Sequence, residues 1–158
     1  MTDVWRVSRS AFLERGLSGR GVAEYPGRWN HRDVPVVYAS STSSLAILEY
    51  LAHIDPEHAP TDLLLLQLKL PATAARIPPV AASMPVGWDA LPPGTASRDL
   101  GTAWLLAGKA LVARVPSVLL PPALRAEFNV LINPKHAAFS SVQIVKRHSF
   151  PIDPRFLQ

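Results

Sequence analysis

Pro35-Val36-Val37-Tyr38-Ala39-Ser40-Ser41-Thr42-Ser43-Ser44-Leu45-Ala46-Ile47-Leu48-Glu49 is the stretch on which the fold turns. Its first six residues, with two adjacent valines and a tyrosine, read as a short strand. The hydroxyl run from Ser40 to Ser44 then offers side-chain oxygens that can cap the free N–H groups of a starting helix. The spacing predicts a helix from Ser44 to about Ile54. At 100° per residue, Leu45, Ile47, Leu48, Leu51, Ala52 and Ile54 share one broad apolar arc, and Glu49 stands just outside it beside Leu45 and Ala52. A carboxylate at the rim of a core pays a desolvation penalty unless something polar meets it, an arginine for example.

Working outward, Val4-Trp5-Arg6-Val7 reads as a first strand, and the glycine-bearing residues 16–27 read as a long loop. Asp62 to Leu70 is a largely buried strand between Pro60 and Pro71. Prolines at 78, 79, 85, 92 and 93 forbid regular structure across residues 77–94, where Trp88 is placed to anchor the excursion. Thr95 to Gly108 supports a helix over Leu100, Trp104, Leu105 and Ala107. Strands are expected over Ala110 to Val115 and Glu127 to Pro134. A last strand, Ser141 to Phe150, alternates Val142, Ile144 and His148 with polar neighbours. Many short strands and few helices, without strand-helix-strand repeats, give an α+β class. The architecture expected is one domain, residues 1–158, with a compact, strongly bent β-sheet core and one or two packed helices.

Composition agrees with one domain: 158 residues, 48% of them hydrophobic, can enclose a core. There is no cysteine, which removes disulfides, thiolate metal sites and thiol nucleophiles. The net charge of +4 lies wholly in the second half, because residues 1–79 carry eight basic and eight acidic side chains and residues 80–158 carry eight and four. Such a patch suits phosphate groups or an acidic partner. Its members are scattered, with only Lys146 and Arg147 adjacent, so nucleic acid is not an expected direct ligand. That reading would need Arg98, Arg114, Arg125, Lys146 and Arg147 to converge. No apolar run suggests a signal peptide or a membrane span, and the cytoplasm is the expected compartment.

Several familiar chemistries lack their marks. No GxGxxG follows a strand, and GxxxxGK[ST] is missing, as are GxSxG and HExxH. The five histidines show no catalytic-zinc spacing, and His53, four residues after Glu49, is at most a metal edge. What remains is a set of polar residues. Arg28 follows Gly27, which lets the backbone approach a ligand while the guanidinium grips phosphate bidentately, or it is a solvated arginine beside a core tryptophan. Tyr38 is a cleft ring or a core cap. Glu49 is a functional carboxylate or an ordinary surface one. Ser117, Asn129 and Asn133 orient a sugar hydroxyl or satisfy turn backbone.

Taken together, Gly27-Arg28-Trp29-Asn30, Val36 to Ser40, Leu45 to Glu49, Val115-Pro116-Ser117, Asn129, Leu131-Ile132-Asn133-Pro134, His136 and Phe139 resemble the RES-domain toxin family. The likeness runs over almost the whole chain. Pro26 departs from it, since the family usually has a second glycine there, and a proline restricts that backbone position without removing a contacting side chain.

The resemblance implies an ADP-ribosyltransferase-like fold with NAD in a cleft at the sheet. It places the family's arginine at Arg28, its tyrosine at Tyr38, its glutamate at Glu49 and its serine at Ser117, with Asn129 as a further binding residue and no metal. The implied activity is cleavage of the nicotinamide–ribose bond of NAD, depleting it by hydrolysis or phosphorolysis. The implied partner is a cognate helix-turn-helix antitoxin, which brings any DNA binding. Two other readings stand beside this one: transfer of ADP-ribose to a macromolecule, and an inactive domain that keeps the fold to bind a partner.

Overall fold

The computed structural model describes residues 2–121 and 126–157. Six strands, β1 (Asp3–Arg9), β2 (Val37–Ser40), β3 (Leu63–Lys69), β4 (Val112–Val115), β5 (Asn129–Ile132) and β6 (Gln143–Ser149), build one sheet in the order β4-β5-β2-β1-β3-β6. Every neighbouring pair is antiparallel. Four α-helices accompany it among the described residues: α1 (Leu13–Ser18), α2 (Arg20–Glu24), α3 (Ser43–Leu51) and α4 (Thr95–Ala107). The α+β class read from the sequence is therefore correct.

Strand alternation sorts the core onto the two faces of the sheet. Val37, Ala39, Val130 and Ile132 gather with Val4, Leu66 and Leu68 in one cluster. Leu131 and Tyr38 pack in the other, with Trp29, Leu105 and Val115. The two long pairings, β1 with β3 and β3 with β6, are in register along most of their length. By contrast β1 and β2 share one register position, Trp5 opposite Ser40. The sheet is loosest at that join.

Two local expectations need correcting. Residues 16–27 are not a loop, because α1 and α2 occupy most of them. Gly19 ends α1 in the left-handed conformation (φ 69°), and a side chain there would meet the Val36 nitrogen at 2.8 Å. Leu13 and Leu17 pack on the core, so burial holds α1 where the glycine content argued against a helix. The helix after β2 begins as expected, with Thr42 Oγ1 accepting from Leu45 N at 3.2 Å, but it stops at Leu51. Its buried side is Leu45 and Ala46, while Leu48, expected inside, is 41% exposed. The helix packs on β1 and β2 with Leu45 and Ala46 buried, which leaves Leu48 outside and Glu49 among residues of both strands.

Residues 77–94 form the long proline-bearing excursion that the sequence announced, held by Trp88 stacked on Trp29. At the edge, β6 is mostly exposed, and only Val142 and Ile144 of its expected inward set reach the core. His148 lies beside Trp5 at 6.4 Å between ring centroids.

Candidate active site

A cavity of about 580 Å³ opens where β1 and β2 join. Trp5 and Arg6 of β1, Tyr38 and Ser40 of β2, and Ala46, Glu49 and His53 from α3 and its end form its walls, together with Gly27, Arg28, Leu91 and Asn129. Of the five site residues that the resemblance implies, four, Arg28, Tyr38, Glu49 and Asn129, thus line one space.

The Gly27-Arg28-Trp29-Asn30 segment is shaped by its own side chains. Asn30 is fully buried, and its Oδ1 accepts from Gly27 N at 2.9 Å and from the Tyr38 hydroxyl at 2.8 Å. Its Nδ2 donates to the carbonyls of His31 and Val34. Gly27 carries no side chain because a Cβ there would stand 2.8 Å from the Tyr38 oxygen. Helix α4 clamps the segment from outside: Arg98 Nε donates to the Gly27 carbonyl, Thr102 Oγ1 accepts from His31 N, and Gly101 lies against the Trp29 carbonyl. Gly27, Arg28 and Trp29 all line the cleft, and Arg28 is the charged member of the four. Burial lowers its guanidinium, and attraction to Glu49 and Asp89 partly offsets that.

Tyr38 also accepts from Trp29 N at 3.0 Å, so both functions of its hydroxyl are engaged and its ring is what the cleft presents. Burial pushes this phenol well above its ordinary value of 10.0.

Glu49 is held from behind. Its Oε1 accepts from Ser117 Oγ at 2.7 Å and from Asn129 Nδ2. Asn129 Oδ1 in turn accepts from Ser40 Oγ at 2.8 Å, and Ser117 Oγ accepts from Leu119 N. Oε2 of Glu49 has no protein partner among the described residues. Ser117 is 7% exposed and is absent from the cavity wall. Its hydroxyl donates to Glu49 and so braces that carboxylate from behind the cavity wall. Asn133 is buried elsewhere, donating to the Leu105 carbonyl and fixing α4.

Sequence reasoning missed Arg6. The strand pattern shows it only as a strand residue, yet its guanidinium sits in the cleft wall, with Nη1 donating to the Tyr38 carbonyl at 2.7 Å and Nε buried without a partner. Burial lowers its pKa to about 10. The signal available was an arginine between Trp5 and Val7 in a strand that is otherwise half apolar, a costly place for a charge without a function.

The other basic side chains do not converge. Arg114 is on β4 and Lys146 and Arg147 are on β6, at opposite edges of the sheet, Arg98 binds the Gly27 carbonyl, and Arg125 lies outside the described residues. Among the described residues no three His, Asp or Glu cluster as a metal ion would require. No helix among them is long and apolar enough to cross a membrane.

Comparison with known proteins gives four concordant similarities. Residues 3–153 match the family described as the RES domain. The chain is 34% identical over 161 residues to a Prs ADP-ribosylating toxin of Sphingobium sp., covering 99% of this chain and 98% of that protein. It is 33% identical over 156 residues to a Toxin Res of Photorhabdus laumondii, covering 98% and 97%. Among solved structures, a chain in the crystal structure of the M. tuberculosis MbcT–MbcA toxin–antitoxin complex superposes with a TM-score of 0.64 at 14% identity, over 99% of this chain and 86% of that one. At that identity the superposition speaks for the fold.

Proposed function

This chain belongs to the RES-domain toxin family, and on that premise we propose that it cleaves the bond between nicotinamide and ribose in NAD. The observation that carries the reading is the Glu49 carboxylate, braced by Ser117 and Asn129 with Oε2 left over, in the same cleft as Arg28.

In this reading Arg28 and Arg6 hold the diphosphate, and Tyr38 offers its ring to nicotinamide. As the glycosidic C–N bond breaks, its electron pair leaves with nicotinamide and C1′ of the ribose gains positive character. Glu49 stabilises that charge directly or through a ribose hydroxyl bound at Oε2. Ser117 and Asn129 keep the carboxylate from turning away, so much of the rate comes from positioning. Water or inorganic phosphate then adds an oxygen at C1′ and gives up a proton, yielding ADP-ribose or its phosphate ester. No step calls for a metal.

Incubating the protein with NAD, with and without phosphate, and resolving the products separates hydrolysis from phosphorolysis. Intact NAD under both conditions, with no heat of binding, would sink the proposal.

A second reading, transfer of ADP-ribose to a macromolecule, is favoured by the name of the Sphingobium relative. Labelled NAD with a cell extract tests it, since a labelled macromolecule would appear. The inactive-domain reading is weakened by Arg28 and Glu49 sharing one cavity. For a partner we propose a cognate helix-turn-helix antitoxin in the cytoplasm, a view supported by the toxin–antitoxin complex that shares this fold. An acidic or carboxylate-ending segment of it would occupy the cleft and compete with the diphosphate for Arg28. Full binding of NAD and antitoxin together would reject such blockage.

A further inference from the structure

We propose that Trp88 is a positioning residue that fixes which edge of Arg28 meets a bound diphosphate; this rests on the NAD-cleavage reading above. A guanidinium offers two forks for an oxyanion, the Nη1/Nη2 end and the Nε/Nη2 side. Here Nη1 is fully used, donating to the Trp88 carbonyl at 2.8 Å and to the Ala90 carbonyl at 2.9 Å. Nε and Nη2 have no protein partner among the described residues. The side fork is therefore the one left to grip a phosphate with two parallel hydrogen bonds.

Those two carbonyls belong to a segment with no regular structure, and three features give them a fixed place. Two consecutive turns, Trp88 N to the Pro85 carbonyl and Ala90 N to the Gly87 carbonyl, both at 3.2 Å, shape residues 85–90. Gly87 supplies the positive φ of 78° that the path requires. The Trp88 indole stacks on Trp29 with centroids 6.0 Å apart and planes 21° from parallel. Trp29 is itself 2% exposed and adjacent to Arg28. The stack thus ties the carbonyls that orient Arg28 to the backbone that carries it, while Leu91, just beyond them, lines the cavity. Val80 and Met84 pack in the same cluster and Val80 N bonds the Arg114 carbonyl, so the segment stays on the protein without the stack. What the stack adds is the fixed place of residues 88–90 over Arg28, and without it the guanidinium would present either fork.

A merely structural role for Trp88 would lower stability and leave phosphate recognition alone. The experiment compares the whole wild-type protein with Trp88→Ala, Trp88→Leu and Trp88→Phe. It uses calorimetric titration with inorganic pyrophosphate and with nicotinamide, thermal unfolding, and steady-state kinetics on NAD. The alanine and leucine variants should bind pyrophosphate roughly tenfold more weakly with nicotinamide binding unchanged. On NAD the loss should fall on KM, with kcat nearly kept. The phenylalanine variant, which can still stack, should return close to wild type. A folded leucine variant with wild-type pyrophosphate affinity would overturn the proposal, as would equal losses for pyrophosphate and nicotinamide, or wild-type protein that binds no pyrophosphate. Trp88-dependent pyrophosphate binding by a protein that leaves NAD intact would instead remove the cleavage reading and keep the positioning role.

Discussion

The hydroxyl of Ser117 donates a 2.7 Å hydrogen bond to Oε1 of Glu49, joining the turn after β4 to helix α3 across 68 positions of sequence. Asn129 Nδ2 donates to the same oxygen. Two neutral donors thus meet one oxygen of the carboxylate, and Oε2 has no protein partner among the described residues.

Glu49→Gln keeps the oxygen that Ser117 and Asn129 address and removes the charge. Folding should change little, because size and helix propensity are nearly preserved. Turnover of NAD should fall by roughly 100-fold or more while NAD affinity changes much less, since the lost interaction belongs to the transition state. Arg28→Ala should lose affinity as well. Initial rates, calorimetry and thermal unfolding on both variants check this. Near-wild-type turnover by folded Glu49→Gln would end the catalytic assignment.

Ser117→Ala and Asn129→Ala probe the brace. Each loses one donor to Glu49, and each is expected to slow turnover by about tenfold with NAD affinity largely retained. The double variant should be clearly faster than the product of the two losses predicts, because the same carboxylate is freed each time. Independent, multiplicative losses would mean that Ser117 and Asn129 act on the reaction separately.

Tyr38 gives a pH prediction. Its folded pKa lies above the ordinary 10.0, chiefly through burial. A raised folded value means that its contribution to stability is whole below pH 10 and is lost as pH climbs through the folded pKa. In a titration of phenolate absorbance, the difference between wild type and Tyr38→Phe should therefore appear only above pH 10. A step at or below 10 would show a hydroxyl free of Asn30 and Trp29.

Gly101 separates packing from propensity. A Cβ at this position would stand 2.0 Å from the Trp29 carbonyl oxygen, a backbone atom that cannot step aside. Alanine favours an isolated helix by about 1 kcal/mol over glycine. Gly101→Ala should nonetheless destabilise the protein by about 1–3 kcal/mol, as overpacked cores do, and lower NAD affinity by displacing the loop that carries Arg28. A rise in the unfolding midpoint would place α4 farther from the loop.

How much of this could be read from the chain depends on whether the deciding interaction was local. Strand β2, the Thr42-capped start of α3, the proline-bearing excursion and α4 were legible, because capping, β-branching and proline act within a few residues. The pairing of Ser117 with Glu49 was not, since it forms only when β5 lies between β4 and β2. The likeness to a family named the serine, and the fold supplied its partner. Helix α1 is not legible locally because Leu13 and Leu17 take their order from a distant core. Arg6 was hidden by its neighbours: a strand pattern records which side chains are apolar, not that two strands part at Trp5 and Ser40 and leave a cleft beside the arginine.

Arg6 leads to the last prediction, in which stability and function move apart. Its guanidinium is buried, its Nε has no partner, and burial lowers its pKa to about 10. At neutral pH both folded and unfolded chains carry the charge, so the fold bears the full desolvation cost. That cost is relieved only as pH rises above about 10, toward the ordinary guanidinium range. Arg6→Met keeps an unbranched side chain of similar length and removes the charge together with the 2.7 Å bond to the Tyr38 carbonyl. The variant is expected to unfold at or above the wild-type midpoint, because losing the one donor to the neutral Tyr38 carbonyl weighs less than removing a poorly satisfied buried cation. NAD affinity should drop by roughly tenfold or more, as the diphosphate loses its second guanidinium. In wild type the same affinity should decline as pH passes about 10, and that decline should be smaller in the methionine variant. Calorimetric titration with NAD across pH, beside thermal unfolding of both proteins, reads all three effects. A methionine variant that is markedly less stable and still binds NAD as wild type does would make Arg6 a structural residue and leave Arg28 as the diphosphate's sole cation among the cleft residues.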